Sequence, residues 1–210
     1  MRNIQKKSEP KSLTQHRANT NSDYDNYPQK QDLRDTLVGE QKGICCYCMQ
    51  RIKAESKKMK IEHWQCQDRY PHQQLDYNNL LGACLGGEGQ EPERQHCDTK
   101  KGNRDLLYNP ANRFDDVESK LRFLRDGQIE SDDPQFNQEI NDVLNLNENR
   151  LVTNRKAVLD AFQQVFMGKN PTKAGMEKAL REWNGENGEV LQPFCQVVVY
   201  YLRKKLKRMS

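Results

Sequence analysis

The sequence predicts an α+β protein that is mainly helical, with a small zinc-stapled core followed by a helical C-terminal half. The stretch from residue 43 to 103 contains six of the seven cysteines and only brief alternation of apolar and polar residues, which is typical of short strands. In the second half, apolar residues recur at helical spacing, as they do from Leu151 to Phe166. These two patterns indicate a compact metal-supported core with helices behind it.

The composition explains why a metal would be useful. Only 34% of the 210 residues are hydrophobic and 30% are charged, so the apolar core is small for the length of the chain. A bound metal adds stability to such a fold. The net charge of +4 is mildly basic, which permits binding to nucleic acid without requiring it.

Three regions are expected along the chain. Residues 1–30 are polar and interrupted by Pro10 and Pro28, so we expect a flexible N-terminal arm. Residues 31–118 hold the core with the zinc site. Residues 119–210 form a hairpin and a helical C-terminal region.

Individual elements can be placed within these regions. The apolar spacing predicts the following elements: a helix at 29–41, a hairpin at 121–130, amphipathic helices from 140 to 166, and further helices at 171–183 and 192–207. No apolar run is long enough to cross a membrane, and no apolar leader is evident at the N-terminus. We therefore expect a cytoplasmic protein whose thiols stay reduced.

Four cysteines have the spacing of metal ligands. The pair Cys45-x2-Cys48 allows two thiolates on one tight turn to reach a single zinc ion, and Cys84 and Cys97 can complete the tetrahedron. Disulfides or ordinary buried thiols are the alternatives, but the odd number of cysteines favours metal binding. His96 is an alternative to Cys97 as the fourth ligand.

A structural zinc with four cysteine ligands leaves Glu62 and His63 for other chemistry. Glu62 can hold a hard divalent cation through oxygen, and a neutral His63 can take a proton from water. The alternative is that His63 is a spare zinc ligand or a core histidine with satisfied hydrogen bonds.

The combination of these residues resembles the HNH endonuclease family, whose ββα-metal motif carries an acid and a histidine on its first strand. The matching segments are KIEHW with Glu62 and His63, YNNLLGAC with Asn79, and HCDTKKG with Asp98. The resemblance implies that His63 is the general base, that Asn79 orients it, and that Glu62 and Asp98 hold a catalytic Mg²⁺ or Mn²⁺. An aspartate at the third position departs from the commoner histidine or asparagine, and Asn78 is an alternative to Asn79.

The order of segments over residues 11–160 is similar to that of the PtuB-like subunits of Septu and retron-associated anti-phage defence systems. The segments are KSLTQHR, LRDTLVGEQKGICCYCMQRI, IEHWQC, LDYNNLLGAC, HCDTKKGN and VLNLNENRLVTNR. Where that family commonly has Pro-Lys after the histidine, this chain has Gln65-Cys66-Gln67. The resemblance implies a PtuA-like ATPase as partner and, in retron-type systems, a reverse transcriptase with its multicopy single-stranded DNA.

Basic residues near the motif are candidates for contact with nucleic acid. Lys100, Lys101 and Arg104 follow Asp98 and can approach substrate phosphate from the same helical turn. A second basic run lies between the first cysteine pair and the Glu-His pair, and it contains Arg51, Lys53, Lys57, Lys58 and Lys60. A solvated surface is an equally good interpretation of this run.

Further basic residues lie in the helical half. Arg150 and Arg155 can line a groove, although exposed arginines more often face solvent. The C-terminal run at 203–208 either complements the helix dipole or contacts nucleic acid.

Taken together, the resemblance implies an HNH nuclease subunit of a bacterial anti-phage defence system, which hydrolyses phosphodiester bonds with a divalent metal and leaves 5′-phosphate and 3′-hydroxyl ends. DNA is the favoured substrate, and RNA, including tRNA, is the other. The competing hypothesis is a non-catalytic zinc-ribbon module that binds nucleic acid or protein. The two hypotheses differ at His63.

Overall fold

A computed structural model of the chain describes residues 1–186, 188 and 190–209. Its helices are α1 (Lys11–Arg17), α2 (Lys30–Glu40), α3 (Cys97–Lys101), α4 (Pro134–Gln138), α5 (Asn149–Val165), α6 (Lys173–Trp183) and α7 (Cys195–Lys207). Its strands are β1 (Lys60–His63), β2 (Leu80–Ala83), β3 (Arg122–Phe123) and β4 (Ile129–Glu130). Short helical turns of other types lie at Pro71–Gln73, Tyr77–Asn79, Glu139–Val143 and Met167–Lys169. The protein is α+β and mainly helical, as the sequence predicts.

The first sheet pairs β1 with β2 in antiparallel fashion, so that Glu62 lies opposite Leu81 and His63 opposite Leu80. All four residues of β2 are buried, which fixes the sheet against the core. In chain order, β1 and β2 are followed by α3, a helix of five residues. The acid and the histidine therefore end the first strand, and the helix that carries Asp98 comes next.

The N-terminal segment is ordered where the sequence predicts a flexible arm. It contains α1, and the side chains of Met1, Leu13 and Tyr27 are buried. Leu13 and Tyr27 belong to a small apolar cluster that also includes Leu33 and Leu37 on one face of α2. A few well-placed apolar residues are enough to dock a polar segment, because each buried side chain contributes on the order of 2 kcal/mol.

The helical half packs onto the cysteine-rich core. The larger apolar cluster contains Cys48 and Leu81 from the core together with Leu159, Val198 and Leu202 from α5 and α7. The two-residue strands β3 and β4 pair as a hairpin at the predicted place. None of the helices among the described residues combines the length and the apolar character that crossing a bilayer requires.

One helical arginine was assigned wrongly from the sequence. Arg155 is completely buried. Its Nε donates to Gly127 O at 2.6 Å, and its Nη2 donates to Leu146 O at 2.7 Å. It cannot line a nucleic-acid groove, because α5 turns this face towards the hairpin.

Candidate active site

The four predicted ligand cysteines meet at one point. The Sγ atoms of Cys45, Cys48, Cys84 and Cys97 all lie within 4.8 Å of one another, and all four residues are buried. All seven cysteines are free thiols, which excludes the disulfide interpretation in this structure. The four thiols can hold a metal ion such as zinc.

The spacing of the thiols fits tetrahedral zinc. Zinc–sulfur bonds of about 2.3 Å in a tetrahedron separate the sulfurs by about 3.8 Å. The observed distances are 3.9 Å between Cys45 and Cys97 and 3.6 Å between Cys48 and Cys84. Burial raises the pKa of the Cys48 thiol and that of the Cys97 thiol well above the ordinary value of a cysteine. A bound cation would therefore be needed to keep these two thiols ionised.

His96 lies beside the cysteine cluster without replacing Cys97. Its Nδ1 is 3.2 Å from the Sγ of Cys97 and 4.0 Å from the Sγ of Cys84. Cys97, rather than His96, completes the set of four mutually close ligand atoms. His96 is therefore placed to support the cluster from its edge.

Local backbone geometry brings the second pair of cysteines together. Gly86 has a φ of +57°, and a Cβ at this position would lie 2.1 Å from His96 O. Gly86 O accepts a hydrogen bond from the His96 N–H at 2.9 Å, which closes the loop between Cys84 and Cys97. The glycine permits a close approach that no other residue allows.

Glu62 is buried among three polar partners. Tyr47 Oη donates to its Oε1 at 2.7 Å, and Lys101 Nζ lies 2.9 Å from the same oxygen. Burial first, and then the charge of Asp98 and a hydrogen bond to it, raise the pKa of Glu62 well above its ordinary value. The two carboxyl groups are close enough to share a proton or a cation.

Asp98 lies in the first turn of α3 and remains partly exposed. Its Oδ2 is 3.7 Å from Lys60 Nζ. The partly exposed carboxylate of Asp98 thus lies next to the buried carboxyl group of Glu62, and such an oxygen pair is of the type that binds Mg²⁺ or Mn²⁺. Within the described residues, however, Glu62, Asp98 and His63 do not form a set of three mutually close ligand atoms as the cysteines do.

The ring of His63 is held in one tautomer. Its Nε2 lies 3.0 Å from Gln74 O, and a carbonyl can only accept, so Nε2 carries the proton of the neutral ring. Burial lowers the pKa of His63 to about 4, against the opposing effects of Gln74 and Asp98. The ring is therefore neutral near pH 7, and Nδ1 is the nitrogen that can accept a proton.

Asn79 holds the loops on both sides of His63. Its Oδ1 accepts from the Gln65 N–H at 2.7 Å, and its Nδ2 donates to Gln65 O at 2.9 Å and to Gln73 O at 3.1 Å. Gln73 precedes the residue whose carbonyl holds the His63 ring. Asn79 thus ties the backbones of Gln65 and Gln73 together, whereas the alternative Asn78 is exposed.

The three basic residues predicted to contact nucleic acid are placed differently from one another. Lys101 is buried and donates to His63 O at 3.0 Å in addition to its pairing with Glu62, so its ammonium group points inwards. Arg104 bonds four backbone carbonyls, including Asp142 O at 2.9 Å. Lys100 donates to Pro92 O at 2.8 Å and remains partly exposed. Of the three, Arg104 is the most exposed, although its guanidinium is held by backbone carbonyls, and Lys100 is partly exposed.

Sequence reasoning missed three residues that complete the surroundings of the site. Tyr47 binds Glu62, Gln74 binds His63, and the ring of Tyr24 meets the His63 ring edge-on with centroids 4.5 Å apart. Tyr24 comes from the segment expected to be flexible. None of the three has a sequence signature, because each acts through tertiary contact.

Comparison with known proteins gives a limited similarity. No protein-family model matches the chain. A segment of 66 residues is 35% identical to the Septu protein PtuB of Bacillus thuringiensis. The segment is 31% of this chain and 22% of that protein, so the matched region spans less than a quarter of the relative.

Proposed function

We propose that this protein is an HNH-type nuclease that hydrolyses phosphodiester bonds of nucleic acid with the help of a divalent metal. The observation that carries this proposal is the tautomer of His63. Its Nε2 donates to Gln74 O, which leaves Nδ1 to remove a proton from an attacking water. His63 directly follows Glu62 at the end of β1, and Asp98 lies in the first turn of α3.

The carboxyl pair supplies the oxygen ligands. Glu62 and Asp98 would hold Mg²⁺ or Mn²⁺, which neutralises the negative charge that develops on the leaving oxygen. Tyr47 and Lys101 both contact Oε1 of Glu62, so the carboxyl group has little freedom to rotate. Asn79 keeps the loop that carries Gln74 in position against His63.

The reaction does not use a 2′-hydroxyl, because water is the nucleophile. The same site can therefore cut DNA or RNA, and DNA is the favoured substrate. We expect products with 5′-phosphate and 3′-hydroxyl ends.

The test is cleavage by purified zinc-loaded protein with Mg²⁺ or Mn²⁺ on plasmid DNA and on RNA. We expect His63→Ala to lower the rate by a factor of about 10² to 10⁴, since that is the usual contribution of a general base. Zinc content and circular dichroism serve as controls for folding. Equal cleavage by a folded His63→Ala protein would contradict the nuclease assignment.

One observation favours the competing function, a non-catalytic zinc module. Lys101 already neutralises Glu62, and His63 is only 7% exposed, so a purely structural role for both is chemically satisfactory. This module would bind nucleic acid or protein equally well with His63→Ala and would show no dependence on Mg²⁺. The cleavage experiment therefore separates the two functions.

The similarity to the Septu protein PtuB supports a role in anti-phage defence. In such a role the protein would work with a PtuA-like ATPase, and in a retron-type system with a reverse transcriptase and its multicopy single-stranded DNA. Co-purification of the tagged protein with the ATPase encoded beside it tests this part. Failure to recover the ATPase would contradict the partnership. It would not bear on the nuclease activity, which the His63→Ala variant tests.

A further inference from the structure

A cleft of about 630 Å³ opens between the first cysteine turn, the loop at 85–90 and helix α5. We call it the basic cleft and define it by six residues of its lining: Arg51, Lys53, Lys57, Lys58, Arg150 and Asn154. The first four form one basic run in the sequence. The fold adds Arg150 and Asn154 from a distant part of the chain, so the run faces a second wall instead of open solvent.

Of the five cations of the basic cleft, Lys58 and Arg150 are paired with Glu55 and Glu148, and the other three are not compensated by a carboxylate among the described residues. Arg51 donates to Gly43 O at 3.2 Å and to Leu191 O at 2.5 Å, and both acceptors are neutral. Lys53 and Lys57 form no ion pair within the part of the chain that the structure describes. These three residues therefore keep their full charge available to an anionic ligand.

The carboxylates near the cleft are already paired. Glu55 binds Lys58 at 2.9 Å in a pair that is about half exposed on both sides. Glu88, which lines the cleft, binds Lys60 at 3.0 Å. Among the described residues, neither acid forms an ion pair with Lys53 or Lys57.

Lys60 connects the basic cleft to the candidate active site. Its Nζ lies 3.0 Å from Glu88 Oε1 and 3.7 Å from Asp98 Oδ2, and it donates to Thr99 Oγ1 at 2.9 Å. Thr99 in turn donates to Leu85 O, which belongs to the cleft lining. The cleft therefore ends one side chain away from Asp98.

We propose that the basic cleft binds the phosphate backbone of a nucleic-acid strand and leads it to the carboxylates Glu62 and Asp98. An extended polyanion fits better than a single phosphate, because the cations are spread along an open cleft and do not converge on one buried point. The part of this proposal that guides the strand to Glu62 and Asp98 rests on the proposed function. The part that concerns binding in the basic cleft is independent of the proposed function.

The test measures binding by the full-length, zinc-loaded protein carrying His63→Ala, so that no substrate is consumed. Fluorescent single-stranded DNA, duplex DNA and single-stranded RNA are titrated at several salt concentrations. Adding Lys53→Gln and Lys57→Gln removes two backbone contacts. We expect the salt slope to fall by about 1.4 for a single strand and the affinity at 0.1 M salt to fall on the order of twentyfold.

The matched control is Lys173→Gln with Lys178→Gln on α6, which removes the same charge from exposed positions elsewhere. We expect this control to change the salt slope by less than half as much as the cleft variant, and Lys53→Arg with Lys57→Arg to retain full affinity. Unchanged binding by the cleft variant, an equal loss in the α6 control, or no binding by the parent protein would overturn the proposal. Cleavage that survives His63→Ala would instead contradict the proposed function while leaving the binding result standing.

Discussion

At the scale of single residues, the candidate site combines two carboxylates in opposite environments. Glu62 is buried and receives hydrogen bonds from Tyr47 and Lys101, whereas Asp98 keeps contact with solvent. A buried carboxylate is costly unless it is paired. Lys101 is therefore more important for stabilising the buried carboxyl group of Glu62 than for contacting substrate.

We predict that Lys101→Met destabilises the protein by about 3 kcal/mol, because it leaves the buried Glu62 carboxylate without its cation. Urea denaturation measures the change. Lys100→Met is the matched control, since its partly exposed ammonium binds only a backbone carbonyl and its loss is expected to cost less than about 0.5 kcal/mol. Equal stability of the two variants would contradict the role given to Lys101.

We also predict that Asp98→Asn weakens Mn²⁺ binding about tenfold or more, because it removes one of the two carboxylates proposed to hold the ion. Electron paramagnetic resonance of free Mn²⁺ measures the affinity. Glu88→Gln is the control, since Glu88 shares the partner Lys60 with Asp98 and lies outside the carboxyl pair. An equal loss of affinity in both variants would show that only general negative charge attracts the ion.

The residue types of the site were predictable from the sequence, whereas their orientations were not. The cysteine spacing predicted the tetrathiolate cluster because such a turn has few other uses. The inward direction of Lys101 and the burial of Arg155 could not be predicted, because a charged residue on a helix faces solvent unless tertiary partners are known. These two exceptions each bind acceptors that are distant in sequence.

At the scale of secondary structure, the turn of the β3–β4 hairpin packs directly against α5. Gly127 has a φ of +94°, and its carbonyl accepts from Arg155 Nε. A Cβ on Gly127 would lie 2.2 Å from Val152 O on α5. The turn and the helix therefore touch through backbone atoms, which leaves no room for a side chain.

We predict that Gly127→Ala destabilises the protein by about 2 kcal/mol or more, through a strained φ and a clash with the α5 backbone. Gly39→Ala is the opposite control. Gly39 lies within α2 with no other atoms within 4 Å of an added Cβ, so alanine is expected to stabilise by about 0.5–1 kcal/mol. Thermal unfolding measures both, and a Gly127→Ala protein as stable as the parent would contradict the close packing.

The elements with strong periodicity were predictable, and the N-terminal segment was not. Helix α2 was expected at 29–41 and occupies Lys30–Glu40. The first 30 residues lack periodicity, yet Lys6 pairs with Glu40 at 2.6 Å and Tyr24 packs on His63. Such isolated anchors leave no repeating pattern, so composition alone suggests a flexible arm.

At the scale of the whole molecule, one apolar cluster joins the cysteines to the helical half. The cluster contains all four candidate ligand cysteines and also Val197 and Val198 from α7 and Phe194, the residue before it. The ligands come from the first cysteine turn, the end of β2 and the start of α3. A bound metal would therefore crosslink segments on which the packing of α7 also depends.

We predict that removal of the metal with a chelator lowers the melting temperature of the entire protein in a single transition. Structural zinc contributes about 10 kcal/mol or more in small domains, and the loss of even a third of this lowers the melting temperature by about 6–12 °C. Far-ultraviolet circular dichroism, which reports mainly on the helices, is the measurement. Cys48→Ser should reproduce the loss, whereas Cys195→Ala lies outside the cluster of four and should keep one zinc per chain. A melting temperature that does not respond to the chelator, or helices that melt in a separate transition, would contradict this coupling between the metal and the helical half.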